Sequence, residues 1–285
     1  MIFITGHRMA LLRTLSLIGA LLTGGCASQS VAARSEKSAT NRSATPSSLV
    51  AIFAHPDDET LIAPVLARYA REGKRVFLVI VTDGRLGAAD HAKIPTGDSL
   101  ATVRANEARC SARVLGIEPP ILLGFHDAGL ADFAGWPGMR LDTLATRVDS
   151  LLRALHPAAV ITWGPEGGYG HSDHRLTGAA VTQVFQAGAL APSVPLFHAG
   201  FPESRTSNAP RWYGQHLHPV SADRLTTSIS FTAADEEAAW RAIACHWSQA
   251  SAEEQQQNRE ALHYLWQGAI TFQQWGGGKV RSSLF

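Results

Sequence analysis

Residues 49–84 read LVAIFAHPDDETLIAPVLARYAREGKRVFLVIVTDG, and the fold is decided there. Leu49 to Ala54 is an unbroken apolar run of strand length, and it leads directly into His55-Pro56-Asp57-Asp58-Glu59. From Thr60 to Arg71 the apolar residues recur at helical spacing, after which Arg75 to Thr82 is again nearly continuous in apolar residues. A strand that is apolar on both faces has to be covered on both faces, as strands are in a parallel sheet between two layers of helices. The stretch therefore predicts a strand, a loop, a helix and a second strand.

Working outward, the same alternation continues. A loop rich in Gly and Asp (Asp83 to Asp98) precedes a helix from Ser99 to Leu115 that Gly116 stops, and a short strand follows from Ile121 to Phe125. Leu141 to Leu155 reads as a helix closed by His156-Pro157, and Ala158 to Trp163 as a fourth strand. Beyond Gln186 the pattern weakens to strands near Pro195–Ala199 and Thr226–Phe231 and two helical stretches, Ala233–Ser248 and Ala252–Gln267. Strand and helix in alternation predict a three-layer α/β domain over residues 49–285 with a mainly parallel sheet. In such sheets ligands sit beyond the C-terminal ends of the strands.

Composition narrows the function. The 285 residues carry 25 Lys+Arg against 24 Asp+Glu, a formal charge of +1, with 45% hydrophobic and 17% charged residues. That is a globular balance, which excludes a disordered or coiled-coil chain. With no cationic excess to neutralise phosphates, nucleic acid is not an expected partner. Met9 to Cys26 has the form of a secretory signal, with Arg8 and Arg13 ahead of the apolar segment Leu15 to Leu22. Gly24-Gly25-Cys26 resembles a bacterial lipobox, although Thr23 stands where an aliphatic residue is usual. The expectation is a signal over residues 1–26, a lipid anchor on Cys26, a flexible tether over 27–48 and an extracytoplasmic location, with secretion as the alternative. Cys110 and Cys245 lie far apart inside helical patterns, without a CxxC, and are expected to be small buried apolar residues rather than a disulfide.

Two polar clusters follow the first and fourth predicted strands: His55-Pro56-Asp57-Asp58-Glu59, and Gly164-Pro165-Glu166-Gly167-Gly168-Tyr169-Gly170-His171-Ser172-Asp173-His174. Both should face one crevice, where carboxylates and imidazoles without thiolates suit a zinc ion in an open site. Adjacent aspartates on a loop point in different directions, so one can ligate the metal while the other acts as general base toward its water. His171 and His174, three positions apart, would share a face of a helix's first turn, one meeting the metal and the other the substrate. The glycines around Tyr169 do not make a phosphate loop, because the Lys-Ser/Thr pair such a loop needs is missing.

These residues, together with Thr82-Asp83-Gly84, Arg104-Ala105-Asn106-Glu107, Leu115-Gly116, Asp127 and His246-Trp247-Ser248-Gln249, resemble the PIG-L (LmbE-like) family of zinc-dependent N-deacetylases over roughly residues 49–250. The resemblance implies a Rossmann-like α/β fold, one zinc ion per chain, and removal of an N-acetyl group from a small amino-sugar or glycoconjugate substrate. By the family pattern His55, Asp58 and His174 would hold the zinc and Asp57 would be the general base. His171, in a cationic form favoured by its orienting neighbour Asp173, would stabilise the oxyanion, with Tyr169 as an auxiliary contact. Arg104 and Asp127 would bind the sugar or its aglycone. Arg85 stands where many members carry an acid, which places a cation near the pocket and points to a different substrate preference. Two other readings keep the same residues: a zinc amidase or phosphoesterase acting on a non-acetyl substrate, and a surface lipoprotein that binds amino-sugar glycans through Arg104, Asp127 and the seven tryptophans, of which Trp136 and Trp212 fall in loops. Trp163 is read as core at the end of the fourth strand.

Overall fold

Alternate residues of the first strand feed two separate cores. In β1 (Ser48–Phe53), Leu49, Ala51 and Phe53 enter one hydrophobic cluster while Val50 and Ile52 enter another, all fully buried. A period of two with both faces covered is what the continuous apolar run requires. Burying each large side chain contributes about 1.5–3 kcal/mol. The computed structural model describes residues 47–131, 139–190, 192–209 and 216–285. The expected signal, the lipobox, nearly all of the tether, Trp136 and Trp212 lie outside these residues.

A 3-10 turn (Asp58–Ile62) and helix α1 (Ala63–Arg71) return the chain to β2 (Arg75–Thr82). Helix α2 (Asp98–Leu115) ends at Gly116, whose φ of 72° supplies the left-handed cap, and leads to β3 (Ile121–Phe125). Helix α3 (Met139–Leu155) leads to β4 (Ala159–Trp163), followed by the short helical turn α4 (Gly167–Gly170) and helix α5 (Ser172–Gln186). Then come β5 (Leu196–Ala199), the short α6 (Glu203–Thr206), β6 (Thr227–Ser230), α7 (Ala233–Ala244), α8 (Ala252–Trp266) and β7 (Ala269–Gln274). Capping boxes from Thr232 with Asp235 and from Ser251 with Glu254 start α7 and α8.

The sheet runs β3-β2-β1-β4-β5-β7-β6, with the first five strands parallel and β7 antiparallel to both of its neighbours. Leu144, Val148 and Leu152 of α3 and Ala180, Val181 and Val184 of α5 cover one face. Residues of α1, α2, α7 and α8, including Leu66, Ala112, Ala239 and Trp266, cover the other. This is the expected three-layer, Rossmann-like α/β sandwich. The strand order reverses direction between β1 and β4, which is where such sheets open a crevice.

Three local features differ from the sequence expectations. β7 was not anticipated. Helix α7 stops at Ala244 instead of Ser248, since the chain turns there to carry His246 and Ser248 inward. Cys110 and Cys245 form a disulfide joining α2 to the end of α7, which corrects their reading as unpaired thiols. Their separation of 135 residues hid a pairing that only the packing of those two helices creates.

Candidate active site

Both polar clusters emerge at the switch point, one from the end of β1 and the other from the end of β4. The β4 cluster depends on glycine where space and backbone leave no alternative. Gly168 has a φ of 66°, and a Cβ there would sit 2.9 Å from the Trp163 ring. The glycines thus let the turn fold down onto Trp163, and His171 and His174 follow at the start of α5.

His55 and His174 meet with Nδ1 of the first 3.1 Å from Nε2 of the second. Their outer nitrogens are already committed. His55 Nε2 faces Asp127 Oδ1 at 3.1 Å and Asp173 Oδ2 at 3.4 Å, and His174 Nδ1 faces the carbonyl of Gly167 at 3.1 Å. These acceptors engage the outer nitrogens and leave Nδ1 of His55 and Nε2 of His174 facing each other. Asp58 Oδ1 adds a negative charge 3.2 Å from His174 Nε2. Two imidazole nitrogens and a carboxylate oxygen converging in a buried place form a ligand set that fits a cation. The ring nitrogens of His55, His171 and His174 lie within 4.8 Å of one another, and so do one ligand atom each of His55, Asp127 and Asp173.

Asp58 is oriented by the backbone. Its Oδ2 accepts from the amides of Ala54 (3.0 Å) and His55 (2.9 Å) and from Trp163 Nε1 (3.1 Å), which leaves Oδ1 for His174. Burial works against its charge, but His174 and then His55 hold it well below the usual carboxylate range. Burial also disfavours charge on His55, yet Asp127, Asp173 and Asp58 raise it well above an ordinary imidazole. Burial opposes the charge of Asp127 as well, but His55 and the Leu86 amide bring it to about 2.

Asp57 adjoins this set. Its side chain is 32% exposed and lines a cavity of about 220 Å³ together with Asp58, Tyr169, Leu217, His246 and Gln249. Burial and Asp58 raise its pKa while Arg104 opposes. Its φ of 113° lies in the left-handed region that a non-glycine residue rarely occupies.

The remaining predicted residues fall into two groups. Asp127 stands behind His55, and Asp173, fully buried, accepts from the Ala128 amide at 2.8 Å. Arg104, expected at the sugar, is buried with its guanidinium on Asp57 Oδ2 (2.9 Å) and the carbonyls of Pro56 and Gly84. Arg85 is outside the cavity lining, engaged by Asp83 at 2.8 Å and Asp98 at 2.9 Å. His171 is the N-cap of α5, not a residue of its first turn: its Nδ1 accepts the Asp173 amide at 3.1 Å. That bond places the ring proton on Nε2. Burial, then charge on His55 and His174, lower its pKa, Asp173 opposing.

Sequence reasoning assigned no part to three residues that belong to the site. Trp163 is core, as read, but it also donates to Asp58 and stacks on His174 at 4.3 Å between ring centroids. Glu59 turns away from the crevice, fully buried, to accept from Ser111 Oγ (2.6 Å) and His246 Nε2 (2.7 Å). Burial opposes charge on both Glu59 and His246, and each holds the other ionised. The His246-Trp247-Ser248-Gln249 motif was the signal available for this contact.

Residues 50–185 match the family model described as "PIG-L: GlcNAc-PI de-N-acetylase". Among relatives, the chain is similar to a 1D-myo-inositol 2-acetamido-2-deoxy-alpha-D-glucopyranoside deacetylase of Thermobifida fusca (strain YX), 31% identical over 66% of this chain and 67% of that protein. Another protein of that description, from Rhodococcus jostii (strain RHA1), is 33% identical over 50% of this chain and 54% of its own. The chain spans about half the length of several such curated relatives. In fold it is similar to N,N'-diacetylchitobiose deacetylase from Pyrococcus horikoshii complexed with its inhibitor MPG, with a TM-score of 0.59, 19% identity and coverage of 80% and 83% of the two chains. The zinc inhibited form of teicoplanin deacetylase Orf2 gives a TM-score of 0.57, 17% identity and coverage of 80% and 97%.

Proposed function

The chain belongs to the PIG-L family, and we propose that it is a zinc-dependent hydrolase that removes the N-acetyl group from a glucosamine-containing substrate outside the cytoplasm. The observation that carries this reading is the pair of facing ring nitrogens of His55 and His174, with Asp58 Oδ1 beside them and Asp57 next along the loop, open to the cavity. His55, Asp58 and His174 would hold the zinc, with Asp127 and Asp173 fixing the ring of His55 from behind. Bound there, zinc supplies Lewis acidity, which brings the pKa of water toward about 7 and polarises an amide carbonyl.

Asp57 takes the proton of the attacking water. Its raised pKa suits a base that must also release that proton. His171 donates its Nε2 proton to the developing oxyanion as a neutral imidazole. Giving that proton up entirely would leave an imidazolate, so Asp57 is the group that returns a proton to the leaving amine. Tyr169, its ring centroid 6.0 Å from that of His171, is an auxiliary contact at the same oxyanion. Gln249, Gln255 and Asn258 in the cavity lining offer amide donors and acceptors to sugar hydroxyls. The Cys110–Cys245 disulfide supports an extracytoplasmic location, since such bonds persist in oxidising compartments. Anchoring through a lipid on Cys26 belongs to the same reading.

The test is acetate release from a panel of N-acetylglucosamine derivatives by the zinc-loaded protein. Asp57→Asn should keep its zinc and lose about 10²–10⁴ of the rate. Acetate from no member of the panel, or an undiminished rate in the variant, would sink the reading.

A further inference from the structure

We propose that Glu59 is a positioning residue that fixes the backbone of Asp57, and that the Cys110–Cys245 disulfide holds its two anchors in place. Glu59 Oε2 accepts the amide of Asp57 at 3.1 Å, the residue whose φ of 113° the chain would not adopt unaided. Glu59 Oε1 accepts from Ser111 of α2 and from His246 beyond the end of α7. The residue before Ser111 is Cys110 and the residue before His246 is Cys245, so the covalent bond joins the two segments one position away from both anchors. Arg104, also from α2, meets Asp57 from the other side through its carboxylate. Asp57 is therefore restrained at its amide by Glu59 and at its carboxylate by Arg104.

The zinc-ligand candidates lie at the ends of β1 and β4, and their contacts with one another involve no residue of α2 or α7. Loosening the clamp should therefore move the base without releasing the metal. This inference rests on the deacetylase reading for its rate measurement, while amide exchange tests the clamp independently of any activity.

The experiment compares the oxidised zinc protein with the same protein reduced by a phosphine, and with a Cys110→Ser/Cys245→Ser variant. Hydrogen exchange across residues 55–60 is followed by mass spectrometry, alongside kcat, KM and zinc content. Reduction is expected to speed exchange at the Asp57 amide about tenfold and to lower kcat about tenfold, with KM and zinc unchanged. Reoxidation restores both. Glu59→Gln with the disulfide intact gives the same fall in kcat. Unchanged exchange in both the reduced and the serine forms overturns the proposal, as does a loss of rate that only tracks a loss of zinc. If the oxidised protein releases no acetate from any substrate, the deacetylase reading fails, and the exchange measurement alone decides the clamp.

Discussion

Asp58 gives one oxygen to the fold and keeps the other for chemistry: three N–H donors occupy Oδ2, and Oδ1 turns to His174. Asp127 plays the matching part for His55, engaging Nε2 and leaving Nδ1 turned toward His174. Removing such an orienting partner typically weakens metal binding by about 10–100-fold. Asp127→Asn is accordingly expected to raise the zinc dissociation constant by that factor, measured by competition with a chromophoric chelator, with secondary structure intact. At this scale the two motifs were legible because their residues are neighbours in sequence. Glu59 and His246 were not, since they meet across 187 positions. Arg104, expected at the sugar, meets the Asp57 carboxylate and the carbonyls of Pro56 and Gly84, contacts that one dimension does not reveal.

At the scale of elements, the first four strands and their helices could be read because continuous apolar runs and helical periods differ sharply when both faces of a sheet are covered. The second half was harder: β7 follows the left-handed residue Gln267 and Gly268, and its pairing with β5 and β6 is set by partners distant in the chain. The seat of α5 against β4 is set by Gly178, where a Cβ would collide with the carbonyl oxygen of Trp163. A backbone atom cannot swing aside as a side chain can, so Gly178→Ala should push the helix off the strand and cost about 1–3 kcal/mol. Because α5 carries His174, the same variant should lose zinc affinity as well as melting temperature. Calorimetry with and without the metal would measure both.

Across the whole molecule, the disulfide and one buried imidazole shape stability. Closing a loop of 135 residues restrains the unfolded chain, and losing such a bond typically costs about 2–5 kcal/mol. His198 on β5 is buried, and desolvation lowers it from 6.5 to about 4. The unfolded chain therefore takes up a proton between these values while the native protein does not, so stability falls as pH drops through that window and levels off below it. By the usual conversion the loss is about 3 kcal/mol. His198→Gln should flatten the pH dependence of the denaturant midpoint between pH 6.5 and 4, whereas an unchanged slope would assign the effect to other groups. The strand order has a kinetic consequence too. His55 and His174 are 119 residues apart, so an ion held between them would be captured only after β4 has docked beside β1. A chain threaded unfolded through a membrane would travel without its metal and load it on arrival, and its melting point would then rise with the free zinc it finds there.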